Sequence, residues 1–298
     1  MSGGTLGFVG LGRMGWPMSR RLSEAGWNLI GVDPSEEART RASAAGMTVL
    51  ADLSAVRECA VVMSSLPDTP QVLEVYGELI PSMAPGGLCI DLSTISVASS
   101  RDLAATAVER GISFVDAPVS GTSIHAEAGT LAVMAGGEED AVNRAREYLL
   151  AFSATIQHVG PNGAGLVMKL ISNRLLTTHL VAIAEAVVEI ERSGLDVPVG
   201  LEALRAGAVP RLLDYKAEPM ANRDYTPRFT VDLMSKDMRL AGELSPPGRL
   251  GMVAAEILEA ARAAGLGPDD LGAVMEIVVQ NQGEEQPVSR KSTSKGAK

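Results

Sequence analysis

Aromatic residues are scarce in this sequence. Phe, Trp and Tyr together make up only 3% of its 298 residues. Proteins that recognise bases or sugars by stacking need aromatic faces, so this composition disfavours them. The chain also carries 36 acidic against 26 basic side chains, which gives a net charge of −10. Because an acidic surface repels phosphate backbones, we expect no nucleic-acid partner.

Cysteine and histidine are rare as well. Cys59 and Cys89 each lie inside an apolar run, and the three histidines are scattered over residues 125–179. This pattern disfavours a disulfide framework or a metal site, so we expect no metal and a reducing compartment. Apolar runs stay below the ~18 residues that cross a membrane, and no signal peptide is expected before the first strand. The sequence predicts a soluble cytoplasmic protein without a membrane partner.

What the sequence does contain is 46% hydrophobic residues, enough to build about two domains. Up to residue 164, helical patterns alternate with short apolar runs at 5–9, 28–32, 59–66, 88–92 and 114–119. This alternation predicts a parallel sheet with helices on both faces. Beyond Gly165 only helical patterns occur, beginning with a long one over 166–192. We predict an α/β Rossmann domain over 1–164, an all-α domain over 165–283 joined by that long helix, and a disordered tail over 284–298.

A glycine-rich turn directly follows the first predicted strand. Its residues are Gly10, Leu11, Gly12, Arg13, Met14 and Gly15. The G-x-G-x-x-G spacing predicts a dinucleotide-binding turn because it joins a strand to a helix at the start of a βαβ unit. Gly10 permits the tight turn, Gly12 lets the backbone approach a pyrophosphate, and Gly15 lets the helix pack closely. Free N–H groups at the helix start bind phosphates without a basic patch. The alternative is a purely structural turn.

Asp33 closes the second predicted strand, about 20 residues after the glycine turn. An acidic side chain at this place accepts hydrogen bonds from the adenosine ribose hydroxyls and repels a 2′-phosphate. NAD is therefore the favoured cofactor and NADP the less favoured one, although Arg39 and Arg41 lie close enough in sequence to reach a phosphate. The alternative is that Asp33 only caps the helix that begins near Glu36.

These residues form part of a larger pattern. Residues 7–18 resemble the opening signature of the β-hydroxyacid dehydrogenase family, and further segments resemble that family in the same order. They are residues 91–96, 116–121 with 129–131, 163–169 with Asn173, and Lys236-Asp237. The resemblance implies a Rossmann domain followed by an all-helical domain, as in 6-phosphogluconate dehydrogenase. It also implies reversible NAD(P)-dependent oxidation of a short 3-hydroxy acid to its semialdehyde, and a homodimer or homotetramer.

Hydride transfer at an alcohol carbon needs a group that takes the hydroxyl proton. Lys169, in the segment that resembles the family's catalytic one, can do this if burial lowers its pKa, and its ammonium stabilises an alkoxide. A lysine between Met168 and Leu170 is costly unless it is functional, paired or reaches solvent. Asn173 lies one helical turn further on and would bind the substrate or orient Lys169. A helix–helix hydrogen bond is the alternative role for Asn173.

The remaining candidates lie near the ends of predicted strands or in the last family-like segment. Ser120 and Gly121 follow a strand at the sheet edge where open α/β proteins bind ligands, and we predict that they hold the substrate carboxylate. Lys236 would supply a positive charge to that carboxylate or contact the cofactor, unless it is a surface partner of Asp237 or Asp232. The cofactor cleft would also be lined by Leu66, Pro67 and Thr94.

Three residues depart from the family pattern. Thr122 and His125 stand where glycine is usual, and Ser172 replaces the first asparagine of the usual Lys-x-x-Asn-Asn sequence. We count Thr122 among the substrate-binding residues, whereas His125 either contacts an extra polar substituent or is an ordinary loop histidine. The departures leave the substrate open. Two alternative functions remain: an imine reductase, which usually lacks the lysine, and a non-catalytic dinucleotide-binding protein.

Overall fold

The computed structural model describes residues 5–206, 212–244 and 246–281. Within them the strands form one sheet: β1 (Leu6–Val9), β2 (Leu29–Val32), β3 (Thr48–Leu50), β4 (Val61–Ser64), β5 (Leu88–Asp91), β6 (Ser113–Asp116), β7 (Val119–Ser120), β8 (Leu131–Gly136) and β9 (Ser153–Gly160). The order is β3-β2-β1-β4-β5-β6-β8-β7, with β9 beside β8. Strands β1 to β6 are parallel to one another, β8 runs antiparallel to both β6 and β7, and β9 runs parallel to β8.

Six helices accompany these strands: α1 (Gly15–Glu24), α2 (Glu36–Ala44), α3 (Thr69–Ser82), α4 (Val97–Glu109), α5 (Ser123–Ala128) and α6 (Glu139–Leu149). One buried cluster joins the sheet to α1, α2 and α6, and another joins it to α3 and α4. Strands covered on both faces are buried along their whole length, as β1, β4 and β5 are. The predicted Rossmann fold is confirmed.

Some elements of this first half were not among the sequence predictions. Strand β9 exposes much of its length, and β3 is only three residues long with two exposed side chains. Neither strand therefore forms the apolar run on which strand prediction relied. Helix α3, which was not predicted, begins at a Thr-Pro pair with Asp68 as its N-cap.

Beyond residue 163 the described chain is helical, apart from a short 3₁₀ turn and one isolated bridge between Thr230 and Asp270. The helices are α7 (Ala164–Arg192), α8 (Val197–Ala206), α9 (Leu212–Ala221), α10 (Val231–Leu244), α11 (Arg249–Ala263) and α12 (Val274–Asn281). The predicted all-α part and the long helix that begins it are confirmed.

The packing divides the chain into two units. One contains residues up to Leu175 together with Lys236–Gly248, and the other contains Leu176–Ser235 and the residues from Arg249 onward. Helices α7 and α10 thus contribute residues to both. The sequence places the division after residue 164, whereas the packing places it within α7, because Leu166 and Leu170 belong to the buried cluster of the sheet. The predicted tail, 284–298, lies outside the described residues.

Helix α7 is long and apolar enough to cross a membrane when only length and composition are considered. Its most apolar 18-residue window has a mean hydropathy of 1.3, and 39% of that window is buried inside the structure. A core helix of a water-soluble protein meets the same criterion. The expectation that no segment spans a membrane therefore stays a prediction.

Candidate active site

The candidate cofactor residues lie along one edge of the sheet. Strand β1 pairs with β2 on one side and with β4 on the other, so the strand order reverses at β1. Ligands of open α/β sheets bind in the crevice at such a reversal, beyond the carboxyl ends of the strands. Here the glycine turn follows β1, Leu66 and Pro67 follow β4, and Thr94 follows β5. The topology therefore brings the predicted cleft residues to the same crevice.

The glycine turn has the shape that a pyrophosphate requires. A Cβ on Gly10, which has φ +91°, would lie 2.3 Å from the carbonyl oxygen of Ser65, and one on Gly15 would lie 1.9 Å from the carbonyl oxygen of Gly10. A Cβ on Gly12 would meet no atom within 4 Å. Leu11 is buried, Arg13 is exposed and Met14 is half-buried. Two glycines are thus required by the fold, while the space at Gly12 is open and fits a dinucleotide.

We predict that Gly12→Val lowers the affinity for NADH by about 100-fold or more, because the new side chain fills the space that the pyrophosphate needs. Since that space holds no protein atom, thermal stability should change little. Fluorescence titration with NADH and a melting curve measure the two quantities. Unchanged NADH affinity in a folded variant would show that the turn is only structural.

Asp33 lies at the end of β2 with its carboxylate turned toward the glycine turn. One carboxylate oxygen accepts a hydrogen bond from Leu11 N at 2.7 Å, and the other accepts one from Ser35 N at 2.8 Å. The N-cap of α2 is Ser35, whose hydroxyl accepts from Ala38 N, so Asp33 is not the capping residue. Arg39 donates to the carbonyl oxygens of Asp33 and Pro34, each at 2.8 Å.

Two buried carboxyl groups end the neighbouring strands β5 and β6. Asp91 accepts hydrogen bonds from the Ser64 hydroxyl at 2.8 Å and from Ser93 N at 3.1 Å. Burial raises the pKa of Asp91 above its ordinary range. The Ser93 hydroxyl in turn accepts a hydrogen bond from Leu66 N. The loops after β4 and β5 are thereby joined. This contact was not among the sequence predictions, although a carboxyl group that closes an apolar strand is visible in the sequence.

Asp116 fixes the start of α7. Its side chain accepts hydrogen bonds from Gly163 N at 2.7 Å and Leu166 N at 3.1 Å, and it is fully buried. The backbone at Gly165 packs so tightly here that a Cβ would lie 2.3 Å from the carbonyl oxygen of Met134. Burial raises the pKa of Asp116 to about 6. This carboxyl group determines where the helix that carries Lys169 begins.

The raised pKa of Asp116 predicts a pH-dependent stability. As pH rises from about 4 to 6, the unfolded chain loses this proton before the folded protein does, because the folded value of about 6 exceeds the ordinary 3.8. The contribution of Asp116 to the free energy of unfolding therefore falls by about 3 kcal/mol across that pH window. In Asp116→Asn that fall should be absent. Urea unfolding at pH 4 to 7 compares the two proteins, and parallel curves would contradict the assignment.

Lys169 and Asn173 lie one turn apart on α7, in the unit that contains the sheet. The Lys169 side chain is buried, with 9% of the residue exposed, so its ammonium does not reach freely into solvent. Burial lowers the pKa of Lys169, the nearby Asp237 carboxylate opposes this shift, and the Lys236 ammonium adds to it. Asn173 donates from Nδ2 to Asp237 Oδ2 at 2.5 Å. Asn173 thus makes the helix–helix hydrogen bond that the sequence offered as the alternative.

Lys236 is not an exposed surface residue, since 14% of its side chain is accessible. Its ammonium donates to the carbonyl oxygens of Pro67 at 3.1 Å and Thr94 at 2.9 Å, and lies 3.1 Å from Asp237 Oδ1. Pro67 is exposed, whereas Leu66 and Thr94 are half-buried. The structure therefore brings Asn173, Lys236 and the two cleft loops together beside Lys169.

The predicted carboxylate-binding residues form a turn after β7. Ser120 is half-buried, and Gly121 has φ +130°, a conformation that favours glycine. His125 Nδ1 accepts a hydrogen bond from Thr122 N at 3.1 Å and lies 3.1 Å from the Thr122 hydroxyl. Thr122 and His125 thus form the capping box of α5, so the two departures from the family pattern are partners in the structure.

Within residues 5–206, 212–244 and 246–281, no group of three or more His, Cys, Asp or Glu side chains is placed to hold a metal ion. Both cysteines are buried. Burial raises the pKa of the Cys89 thiol to about 12, which keeps it protonated and unreactive. The Cys89 thiol is therefore not a candidate for acid–base catalysis.

Comparisons with known proteins identify the family of this chain. Residues 5–160 match the family described as the NAD binding domain of 6-phosphogluconate dehydrogenase, and residues 163–278 match the NAD-binding domain of NADP-dependent 3-hydroxyisobutyrate dehydrogenase. The NAD-dependent L-serine dehydrogenase of Pseudomonas aeruginosa is 35% identical over 295 residues, which covers 94% of this chain and 99% of that protein. A probable 3-hydroxyisobutyrate dehydrogenase of Mycobacterium tuberculosis is 37% identical, over 80% of this chain and 84% of its own.

A solved structure shows the same fold. The 3-hydroxyisobutyrate dehydrogenase of Mycobacterium tuberculosis, described together with L-serine, is similar with a TM-score of 0.84 and 36% identity, over 92% of this chain and 99% of its own. The fold and the site define an oxidoreductase with a Rossmann domain for NAD(P). The chain belongs to the β-hydroxyacid dehydrogenase family.

Proposed function

We propose that this protein is an NAD-dependent oxidoreductase that interconverts a short 3-hydroxy acid and its semialdehyde, with Lys169 as the general acid/base. The observation that carries the proposal is the buried lysine one turn from Asn173, with a pKa lowered by burial. A lysine in such surroundings is costly to the fold and is suited to proton transfer near neutral pH. The names of the relatives support the substrate class, since they include an L-serine and a 3-hydroxyisobutyrate dehydrogenase.

The glycine turn and Asp33 would hold a nicotinamide dinucleotide, which would accept the hydride in the oxidation. The neutral amine of Lys169 takes the proton of the substrate hydroxyl, and in the reverse direction its ammonium returns a proton to the alkoxide. Asn173, whose amide is oriented by Asp237, fixes the substrate or the lysine. Ser120, Gly121 and Thr122 form the turn that holds the substrate carboxylate.

We further propose that NAD is preferred to NADP. The support is Asp33, a carboxylate at the end of β2 directly beside the glycine turn. Such a group accepts the ribose hydroxyls of NAD and repels the extra phosphate of NADP. Arg39 and Arg41 donate to backbone carbonyl oxygens in this region, and these contacts compete with a role in holding a 2′-phosphate.

We also propose a cytoplasmic homodimer or homotetramer that has no nucleic-acid or membrane partner. The support for an oligomer is the start of α11, where Leu250, Met252 and Val253 are at least 47% exposed. Clustered apolar side chains on a surface are typical of interfaces. Light scattering coupled to size exclusion measures the mass in solution, and a monomer of 31.1 kDa would contradict this part of the proposal.

A substrate panel followed by NADH absorbance tests the proposed function. It contains 3-hydroxyisobutyrate, glycerate, L-serine, threonate and 3-hydroxypropionate, each with NAD and with NADP. We expect turnover of at least one acid and a kcat/KM at least about tenfold higher with NAD. NADH binding without turnover of any acid would favour the non-catalytic dinucleotide-binding alternative, and reduction of a cyclic imine instead would favour the imine reductase. A preference for NADP would overturn the role given to Asp33.

A further inference from the structure

The ammonium group of Lys236 is surrounded by acceptors of its own chain. A lysine ammonium has three N–H donors and no acceptor. Three oxygen atoms lie close to the Lys236 ammonium. They are the carbonyl oxygen of Pro67 at 3.1 Å, that of Thr94 at 2.9 Å, and Asp237 Oδ1 at 3.1 Å. The two carbonyl oxygens accept hydrogen bonds from the ammonium, and the Asp237 carboxylate forms an ion pair with it. A substrate carboxylate that bound Lys236 would therefore compete with the buried Asp237 carboxylate for the same positive charge.

The two carbonyl groups belong to different loops of the cofactor crevice. Pro67 lies in the loop between β4 and α3, and Thr94 in the loop between β5 and α4. These loops are also tied to each other, because Leu66 N donates to the Ser93 hydroxyl and Ser96 N donates to the Thr69 hydroxyl. Lys236 adds a bond from α10 to each loop. Its contacts therefore bear on the shape of the crevice rather than on one ligand.

The next residue extends this link to α7. Asp237 is 2% exposed, and its carboxylate lies between the Lys236 ammonium and the Asn173 amide. Removing one partner of a buried ion pair is costly, because the other charge is left without compensation. A continuous set of contacts therefore runs from the cleft loops through Lys236 and Asp237 to Asn173, one turn from Lys169.

We propose that Lys236 and Asp237 are positioning residues, which fasten the two loops of the nucleotide crevice to the helix that carries Lys169 and Asn173. The part of this inference that concerns Lys169 rests on the proposed function, and the part that concerns the loops does not. Lys236 holds the shape of the cofactor site, and Asp237 holds Asn173 in one orientation. The substrate carboxylate is left to the turn at residues 120–122.

Lys236→Met tests the loop contacts, with Arg239→Met as its matched control. Both variants remove one positive charge from α10, but Arg239 is 57% exposed and lies 3.6 Å from Asp68 in a solvent-accessible pair. Exposed pairs of this kind contribute little. We expect Lys236→Met to weaken NADH binding about tenfold or more and to lower kcat, with the KM for the acid changed less than threefold. Arg239→Met should stay within twofold in all three.

The pH profile separates positioning near Lys169 from a general loss of structure. The dependence of kcat on pH should have a limb that reports the deprotonation of Lys169. Removing the Lys236 charge should move this Lys169 limb to higher pH. Removing the Asp237 charge by Asp237→Asn should move it to lower pH, since these two charges act on Lys169 in opposite directions. A merely structural defect lowers activity without such opposed shifts. Lys236→Arg keeps the positive charge, so the Lys169 limb of its kcat profile should stay in place. Its affinity for NADH should lie between those of Lys236→Met and the native protein.

Three outcomes would overturn the proposal. A KM for the acid raised tenfold or more in Lys236→Met, with NADH affinity unchanged, would make Lys236 a ligand of the substrate. Equal losses of NADH affinity in Lys236→Met and Arg239→Met would show a simple charge effect. If the Lys169 limb of the kcat profile does not shift in a folded Asp237→Asn protein, or in Lys236→Met, the link to Lys169 is wrong. If Lys169 variants keep full activity, the proposed function fails, whereas NADH titration still tests the loop contacts.

Discussion

Lys169→Met is expected to lower kcat by about 10³-fold while NADH still binds with its normal affinity. General acid–base groups contribute on the order of 10² to 10⁴ to the rate, and this variant removes the group from the hydride-transfer step. Methionine matches the length of the lysine stem and suits a buried position, so the surroundings should hold their shape. Steady-state rates and NADH fluorescence measure the two effects. Near-normal turnover would refute the assignment of Lys169.

The same substitution should leave the protein equally stable or more stable. Burial lowers the pKa of Lys169 below its ordinary value of 10.5, so the charged form is destabilised in the folded state. The stability contributed by this group therefore rises as pH increases through its folded pKa and is lowest below it. At neutral pH the methionine variant lacks this cost. Melting curves at pH 7 and pH 10 should show a smaller rise for the variant than for the native protein.

A small primary amine provides the positive control for this experiment. In Lys169→Ala the shortened side chain leaves space for an added amine to perform the proton transfer. We expect ethylamine to restore part of kcat in a concentration-dependent manner, because the loss is chemical and not structural. Restoration by a neutral alcohol of the same size would instead indicate that only the lost volume matters.

Gly165→Ala is expected to have the second largest effect. The added Cβ would lie 2.3 Å from the Met134 carbonyl oxygen and 2.7 Å from that of Asp116, and both are backbone atoms that cannot turn aside. Overpacking of this kind costs about 1 to 3 kcal/mol. Because α7 has to shift away from the sheet, Lys169 shifts with it, and a misplacement of about 1 Å can cost 10²-fold in rate. Both stability and kcat should fall.

Gly77→Ala is the matched control for that change. Gly77 lies inside helix α3, and a Cβ there would meet no atom within 4 Å. Replacing a glycine by alanine in an unobstructed helix stabilises by about 0.5 to 1 kcal/mol. Urea unfolding and steady-state kinetics on both variants make the comparison. A Gly165→Ala protein as stable and active as Gly77→Ala would mean that the start of α7 is not tightly packed on the sheet.

Local sequence signals were sufficient for much of the fold. The strands β1, β2, β4, β5 and β6 are apolar runs, and the long helix α7 has no internal glycine beyond its first turn and no proline. The turn at residues 10–15 and the spacing of Lys169 and Asn173 are also local patterns. Such patterns are visible in one sequence because each depends on neighbours a few residues away.

The partners of the site residues were not predictable in this way. Lys236 bonds to Pro67 and Thr94, which are 169 and 142 residues away in the sequence. The capping box formed by Thr122 and His125 is local, but it was hidden because histidine is not the usual residue in that role. Asp116 looked like part of a family motif, and only the structure shows that it binds the start of α7. Long-range contacts depend on the fold, which spacing alone does not reveal.

The sharing of α7 and α10 between the two units limits how this protein can be divided. The core of the sheet-containing unit includes Leu166 and Leu170 from α7 and Leu240 and Ala241 from α10. A fragment that ends at residue 164 would leave this apolar surface without its covering side chains, and the missing pieces are not adjacent in sequence. A nucleotide-binding module for fusion or exchange between relatives would therefore need both segments. A gene that encodes only the first 164 residues should give an aggregation-prone product.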